Sequence, residues 1–303
     1  MKEIPRFIKA YYHEVNKRVL ILCTLYVALL VWLNYAYHIE EWLINEVGLP
    51  VSRFSGHFII YTIAFLPPYL LSLYKKKFDT ATPFWICLLL APAIFAFKVA
   101  IDTSMHLSPE TDWNNYWNDI IYWPMRMLAL VTVLCVFRFL FHRENGFYGL
   151  SAKQFSLAPY IMMLLMMLPL IAAASTQQDF LSVYPKVKNI LPLPGDAEPG
   201  WFFKLLFELS YGSDFFSVEL FFRGFLIVGF IKWAGKEAIL PMACFYCSIH
   251  FGKPLGECIS SYFGGLLLGI VSFHTRSVYG GLIVHLGIAW LMELGGYLGS
   301  QWQ

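Results

Sequence analysis

Charged residues are scarce in this sequence. Asp, Glu, Lys and Arg make up 14% of the 303 residues, against roughly 25% in soluble domains. A chain so poor in charge cannot cover a water-facing surface, which excludes an ordinary soluble protein. Positive charge is not concentrated either. The formal net charge is +2, and no basic, aromatic-interleaved patch is present, so no nucleic-acid partner is expected. Cysteine is sparse, with Cys23, Cys87, Cys135, Cys244 and Cys247 inside apolar runs and Cys258 opening one. Thiols so placed read as small apolar fillers rather than a disulfide framework. The N-terminus lacks a small-residue cleavage site, and its apolar run starts only near Val19, so it is not a cleavable signal. There is no internal repeat and no low-complexity segment.

What remains is apolar: 58% hydrophobic and 18% aromatic. A helix needs about 20 residues to cross a hydrocarbon core of about 30 Å. Candidate runs are Val19–His38, Gly56–Tyr74, Phe84–Ile101, Ile120–Phe141, Leu157–Ser175, Asp214–Ala234, Ala238–Phe251, Cys258–Thr275 and Val278–Leu298. The expected fold is all-α, a polytopic transmembrane bundle of eight or nine spans in the lipid bilayer. Lys and Arg are about twice as frequent in one set of alternate connections, from Lys2, Arg6, Lys9, Lys17 and Arg18 through Lys75–Lys77 to Arg138, Arg143 and Lys153. That bias puts the N-terminus in the cytoplasm. Three parts are expected: an N-terminal transmembrane part over 1–175, an external loop with an interfacial helix over 176–213, and a C-terminal core over 214–303. A second aromatic-rich interfacial stretch is expected at Glu110–Trp123.

The polar residues that matter lie in the last part. In SVELFFRGFLI, Glu219 and Arg223 are four residues apart on one helix face, about 6 Å along the axis. A charge deep in lipid costs at least about 2.5–3.5 kcal/mol, and pairing offsets that cost. The bland alternative is a salt bridge that only holds helices together. In CFYCSIHFGKP, His250 closes a span and Tyr246 lies one turn before it. Cys244, Cys247 and His250 have C-x-x-C-x-x-H spacing, but on one helix the outer two ligands lie about 9 Å apart along the axis, too far to close readily on one zinc. GGLIVHLGIAWLMEL places His285 at membrane depth, with Glu293 two turns on. Gly264, Gly265 and Gly269 in the intervening run allow close helix approach, and Glu257 opens that run. A carboxylate and two imidazoles suit hydrolysis: a base toward water, a group that orients the water, and an oxyanion donor. The same Glu219/His250/His285 set is chemically able to hold a divalent metal, but no cofactor is the favoured reading. It also suits a proton relay in a transporter, although no inverted repeat supports that.

ELFFRG, a helix-ending histidine, GGLLLG and GGLIVH resemble the CPBP family over about residues 200–298. These are the CAAX proteases and bacteriocin-processing (Abi) enzymes, intramembrane glutamic-type proteases. Their pattern is Glu-Glu-x-x-x-Arg, Phe-x-x-x-His and His-x-x-x-Asn or Asp. Arg223 matches the arginine and Glu219 the second glutamate. Val218 stands where the family has the first glutamate, which it uses as base, Tyr246 replaces the phenylalanine, and Ala289 replaces the asparagine. The resemblance implies a peptidase acting on a peptide or membrane-protein substrate. Glu219 would be the base, His250 would orient water, His285 would serve the oxyanion and Arg223 would support the charge. Tyr246, Glu257 and Glu293 would assist. The departures leave open a catalytically inactive homologue with a binding, regulatory or immunity role.

Overall fold

A computed structural model describes residues 3–45, 50–73, 81–142, 146–151, 157–190 and 200–301. Lys75–Lys77, Arg143, Lys153 and the 191–199 part of the expected loop lie outside them. In chain order the helices are α1 (Glu3–Glu14), α2 (Lys17–Tyr37), α3 (Ile39–Asn45), α4 (Pro50–Leu73), α5 (Thr82–Ala100), α6 (Thr111–Phe141) and α7 (Ala158–Ala174). Then follow α8 (Gln178–Val183), α9 (Trp201–Glu219), α10 (Ile231–Ala234), α11 (Ile239–Ser248), α12 (Leu255–Thr275) and α13 (Tyr279–Ser300). The protein is all-α and polytopic, an integral multi-pass membrane protein. Among the described residues six helices are long and apolar enough to cross a membrane: α2, α4 from Arg53, α5, α6, α12 and α13; α7 is a shorter apolar helix.

The elements depart from the sequence reading in three places. Glu110–Trp123 is not a separate interfacial piece, because Thr111 to Phe141 is one helix. Gly200–Tyr211 likewise is not a piece of its own, because Trp201 to Glu219 is one helix, α9. The stretch read as an external loop carries α8 and a 3₁₀ turn at Lys186–Ile190. In Glu110–Trp123 polar residues within an aromatic stretch suggested a break, but hydrogen bonds to the preceding segment absorb them. Asn114 Oδ1 accepts from Leu107 N at 2.7 Å, and Asn118 exchanges bonds with the Met105 backbone at 2.8 and 2.9 Å.

The described residues form two compact units. The first comprises Met1–Ile101, Val133–Phe155 and Glu219–Gly281. Its core is aromatic: Phe95 packs on Phe221 and Phe222 at 4.9 and 5.0 Å, and Phe245 on Tyr61 and Phe65 at 5.1 and 5.2 Å. Asn16 caps α2, its side chain accepting from Arg18 N and Val19 N. The second unit comprises Asp102–Thr132, Ser156–Val218 and Leu282–Gln303. Its core joins Tyr116, Ile120, Ile190, Phe207, Tyr211 and Ala289, and the Tyr116 hydroxyl donates to Phe203 O at 3.1 Å.

His142, just past α6 in the first unit, gives a pH test of that packing. It is 1% exposed, with its Nδ1 3.1 Å from the Tyr148 hydroxyl and its ring 4.9 Å from Trp233. Burial first, and the Lys232 cation second, lower its pKa from 6.5 to about 4. Between those values the unfolded chain holds a proton that the folded chain refuses, so stability falls as pH drops from 6.5 toward 4. The loss is about 3 kcal/mol at most, from about 1.4 kcal/mol per pKa unit. Thermal midpoints of purified protein at pH 7 and pH 4.5 should differ for wild type, and differ less for His142→Phe.

Candidate active site

The site in the first unit starts from an irregular helix. After Glu219 the chain leaves α-helical geometry and runs as a π-helix from Leu220 to Gly229. Such wide turns are rare and concentrate at functional sites. Within it, Arg223 Nη1 lies 3.0 Å from Glu219 Oε1, and both side chains are sealed from solvent. The ion pair is therefore real and buried. A buried pair repays the cost of desolvation only when further hydrogen bonds satisfy its remaining donors and acceptors; here Arg223 Nε and Nη2 are buried with no hydrogen-bond partner among the described residues, and an aromatic face takes their place. The Arg223 guanidinium lies 4.2 Å over the Tyr246 ring, a cation–π contact in a dry setting. Phe222 stands edge-on to the same ring at 5.1 Å.

Tyr246 leads on to His250. Their rings are 4.9 Å apart, and His250 Nδ1 lies 2.9 Å from Tyr246 O. A carbonyl only accepts, so Nδ1 carries the proton and Nε2 is the ring nitrogen able to accept one. His250 is half-buried and sits in the turn after α11, not in its last helical position. Two glycines let neighbouring helices close on this row. A Cβ at Gly265 of α12 would stand 2.9 Å from Tyr246 Cδ1, and one at Gly281 of α13 only 2.1 Å from Glu219 Oε2. The first turn of α13 thus lies against the Glu219 carboxylate. Helix N-termini favour negative charge.

The other expected site residues have other company. Glu257 pairs with Lys253 at 3.8 Å, still in the first unit. His285 lies in the second unit, its ring 4.7 Å from Phe215. Glu293, also there, accepts from Lys186 N at 2.9 Å and Val187 N at 3.2 Å, so its carboxylate anchors the 3₁₀ turn. Glu208 of α9 has its pKa raised to about 7, chiefly by burial and secondly by Glu293. The Ala289 position belongs to the aromatic core of the second unit, where a polar side chain would displace packing. Cys247 Sγ faces Cys258, 3.9 Å from its sulfur. Among the described residues no three His, Cys, Asp or Glu side chains are gathered for a metal.

Sequence reasoning missed Gly281 as a wall of the site. The signal was present, since the GG pair opens the run that ends in His285. It also missed Asn34, Tyr35 and Glu40, which meet the turn that carries His250.

Residues 203–291 match the family model described as type II CAAX prenyl endopeptidase Rce1-like. Over these residues the chain is similar to that family. The resemblance read from ELFFRG, GGLLLG and GGLIVH is borne out over it, and Glu219, Arg223, Tyr246, His250, Glu257, Gly281 and His285 all fall inside the Rce1-like segment. At family level the match implies intramembrane proteolysis of the CAAX type, hence a peptide or protein substrate in the membrane. No curated protein and no solved structure matches the chain.

Proposed function

We propose that this protein is an intramembrane peptidase that hydrolyses a peptide bond in a membrane-associated or exported peptide. The observation that carries the reading is the unbroken row Glu219–Arg223–Tyr246–His250, which joins a buried carboxylate to a half-buried imidazole inside the Rce1-like segment. In this reading Glu219 takes a proton from water and His250 orients that water through Nε2. Arg223 fixes the carboxylate and balances its charge. His285 enters from the sequence pattern as the donor to the oxyanion. Because Glu219 is sealed at rest, the reading requires that water reach it during turnover. No metal or other cofactor is assigned a role. The charge bias between spans supports a cytoplasmic N-terminus.

The test is cleavage by the purified full-length protein in nanodiscs, against a peptide library that includes a farnesylated peptide ending in a CAAX sequence. Wild type should cleave at least one member. His250→Ala and His285→Ala should each lower the rate at least about 100-fold, with helical circular dichroism unchanged. Equal cleavage by both variants would overturn the roles given to the histidines. The sealed carboxylate, with Val218 and Ala289, favours a second reading: an inactive homologue that binds a membrane peptide. Retained peptides and no product from folded wild type would support it.

A further inference from the structure

The turn that carries His250 ends α11 and leaves backbone carbonyls with no helical partner. In a membrane protein such groups need partners from elsewhere in the fold. They find them on α2, outside the Rce1-like segment. Asn34, 6% exposed, donates from Nδ2 to Phe251 O at 3.2 Å. Its Oδ1 accepts from Glu40 N at 2.9 Å, so one buried amide ties α3 to the turn. The Tyr35 hydroxyl bonds to Lys253 O in a short contact and lies 3.5 Å from His250 O. A Cβ at Gly252 would stand 3.2 Å from both Glu40 carboxylate oxygens. Three consecutive turn residues, Phe251, Gly252 and Lys253, are therefore each met by a different side chain from this region.

We propose that Asn34 and Tyr35, with Glu40 behind them, are positioning residues for His250, and that this is one task of the N-terminal helices. The inference rests on the role given to His250 above. The physical logic is division of labour. Nδ1 bonds to Tyr246 O and sets the ring relative to α11. That bond cannot fix where the end of α11 sits. The carbonyls of the turn do so, and Asn34 and Tyr35 hold them. An imidazole displaced by about 1 Å can lose roughly 100-fold in rate, so the holders need not touch substrate to matter.

The test separates this inference from the peptidase reading. Hydrogen exchange of residues 249–254 is followed by mass spectrometry in full-length protein in phosphatidylcholine–phosphatidylglycerol nanodiscs. Asn34→Ala should speed exchange there by roughly tenfold, from the loss of one buried bond to a carbonyl. Asn34→Asp keeps an acceptor for Glu40 N but loses the donor to Phe251 O, and should act like Asn34→Ala. Tyr35→Phe should act in the same direction. NMR titration of the His250 imidazole should shift in all three variants. With the cleavable library peptide, kcat should fall about tenfold or more while KM stays within about twofold. Unchanged exchange and an unchanged His250 titration in Asn34→Ala and Tyr35→Phe would overturn the inference, whether or not the protein cleaves. Altered exchange and titration with kcat at the wild-type level would overturn the positioning role and leave a purely structural one. If wild type cleaves nothing, the peptidase reading fails, and exchange and titration still decide whether α2 holds the turn.

Discussion

Replacing Arg223 with alanine is expected to destabilise the protein by about 3–5 kcal/mol, the usual cost of leaving a buried charge without its partner. The Glu219 and Arg223 side chains are 1% and 0% exposed, so water cannot take over from the lost guanidinium. The substitution also removes the cation over Tyr246. Arg223→Lys should not restore the site, because an ammonium lacks the planar face that stacks on the ring. The informative partner is the double variant Glu219→Leu/Arg223→Met. With both charges gone and the volume kept, most of the lost stability should return, while cleavage stays abolished. Thermal midpoints of the four proteins in one detergent check this. A single variant as stable as wild type would mean that solvent reaches the pair.

Gly281→Ala is expected to be harmful although alanine is the better helix former by about 1 kcal/mol. Its Cβ would stand 2.1 Å from Glu219 Oε2, far inside any allowed contact. The carboxylate is held by Arg223 at 3.0 Å in a site sealed from solvent, so it has little room to yield. Either the first turn of α13 shifts or the ion pair opens. Overpacking of this kind costs about 1–3 kcal/mol, and cleavage should fall with it. Gly264 supplies the contrast. Nothing lies within 4 Å of a Cβ there, whereas its neighbour Gly265 abuts Tyr246. Gly264→Ala should therefore be neutral or slightly stabilising, by up to about 1 kcal/mol. Thermal midpoints ordered Gly264→Ala at or above wild type and Gly281→Ala below it would support the packing described.

Much of the fold was legible because length and apolarity dominate membrane sequences. The expected Phe84–Ile101 and Cys258–Thr275 runs lie within a few residues of α5 and α12. Breaks were harder. The polar groups of Glu110–Trp123 and Gly200–Tyr211 suggested helices lying in the interface, but their partners come from outside the stretch itself. Asn118 serves Met105, and Ser210 donates to Ile120 O. In the site, i,i+4 spacing sufficed to foresee the Glu219–Arg223 pair, since both partners sit on one helix. The same rule set Tyr246 beside His250. Spacing two turns past His285 made Glu293 a supporting candidate, yet its carboxylate is taken by Lys186 N and Val187 N, a contact across more than 100 residues. The hold of Asn34 on Phe251 was invisible for the same reason. A lone asparagine near the end of an apolar run carries no sign of which turn it will meet.

The most direct measurement compares wild type with Glu219→Gln. Both proteins are reconstituted in proteoliposomes with a peptide that wild type cleaves, and product is quantified by mass spectrometry. Glutamine keeps the shape of the side chain but cannot take a proton, so the rate should fall at least about 100-fold while the Rce1-like segment stays folded. Cleavage by Glu219→Gln at the wild-type rate would show that the water-activating group lies elsewhere.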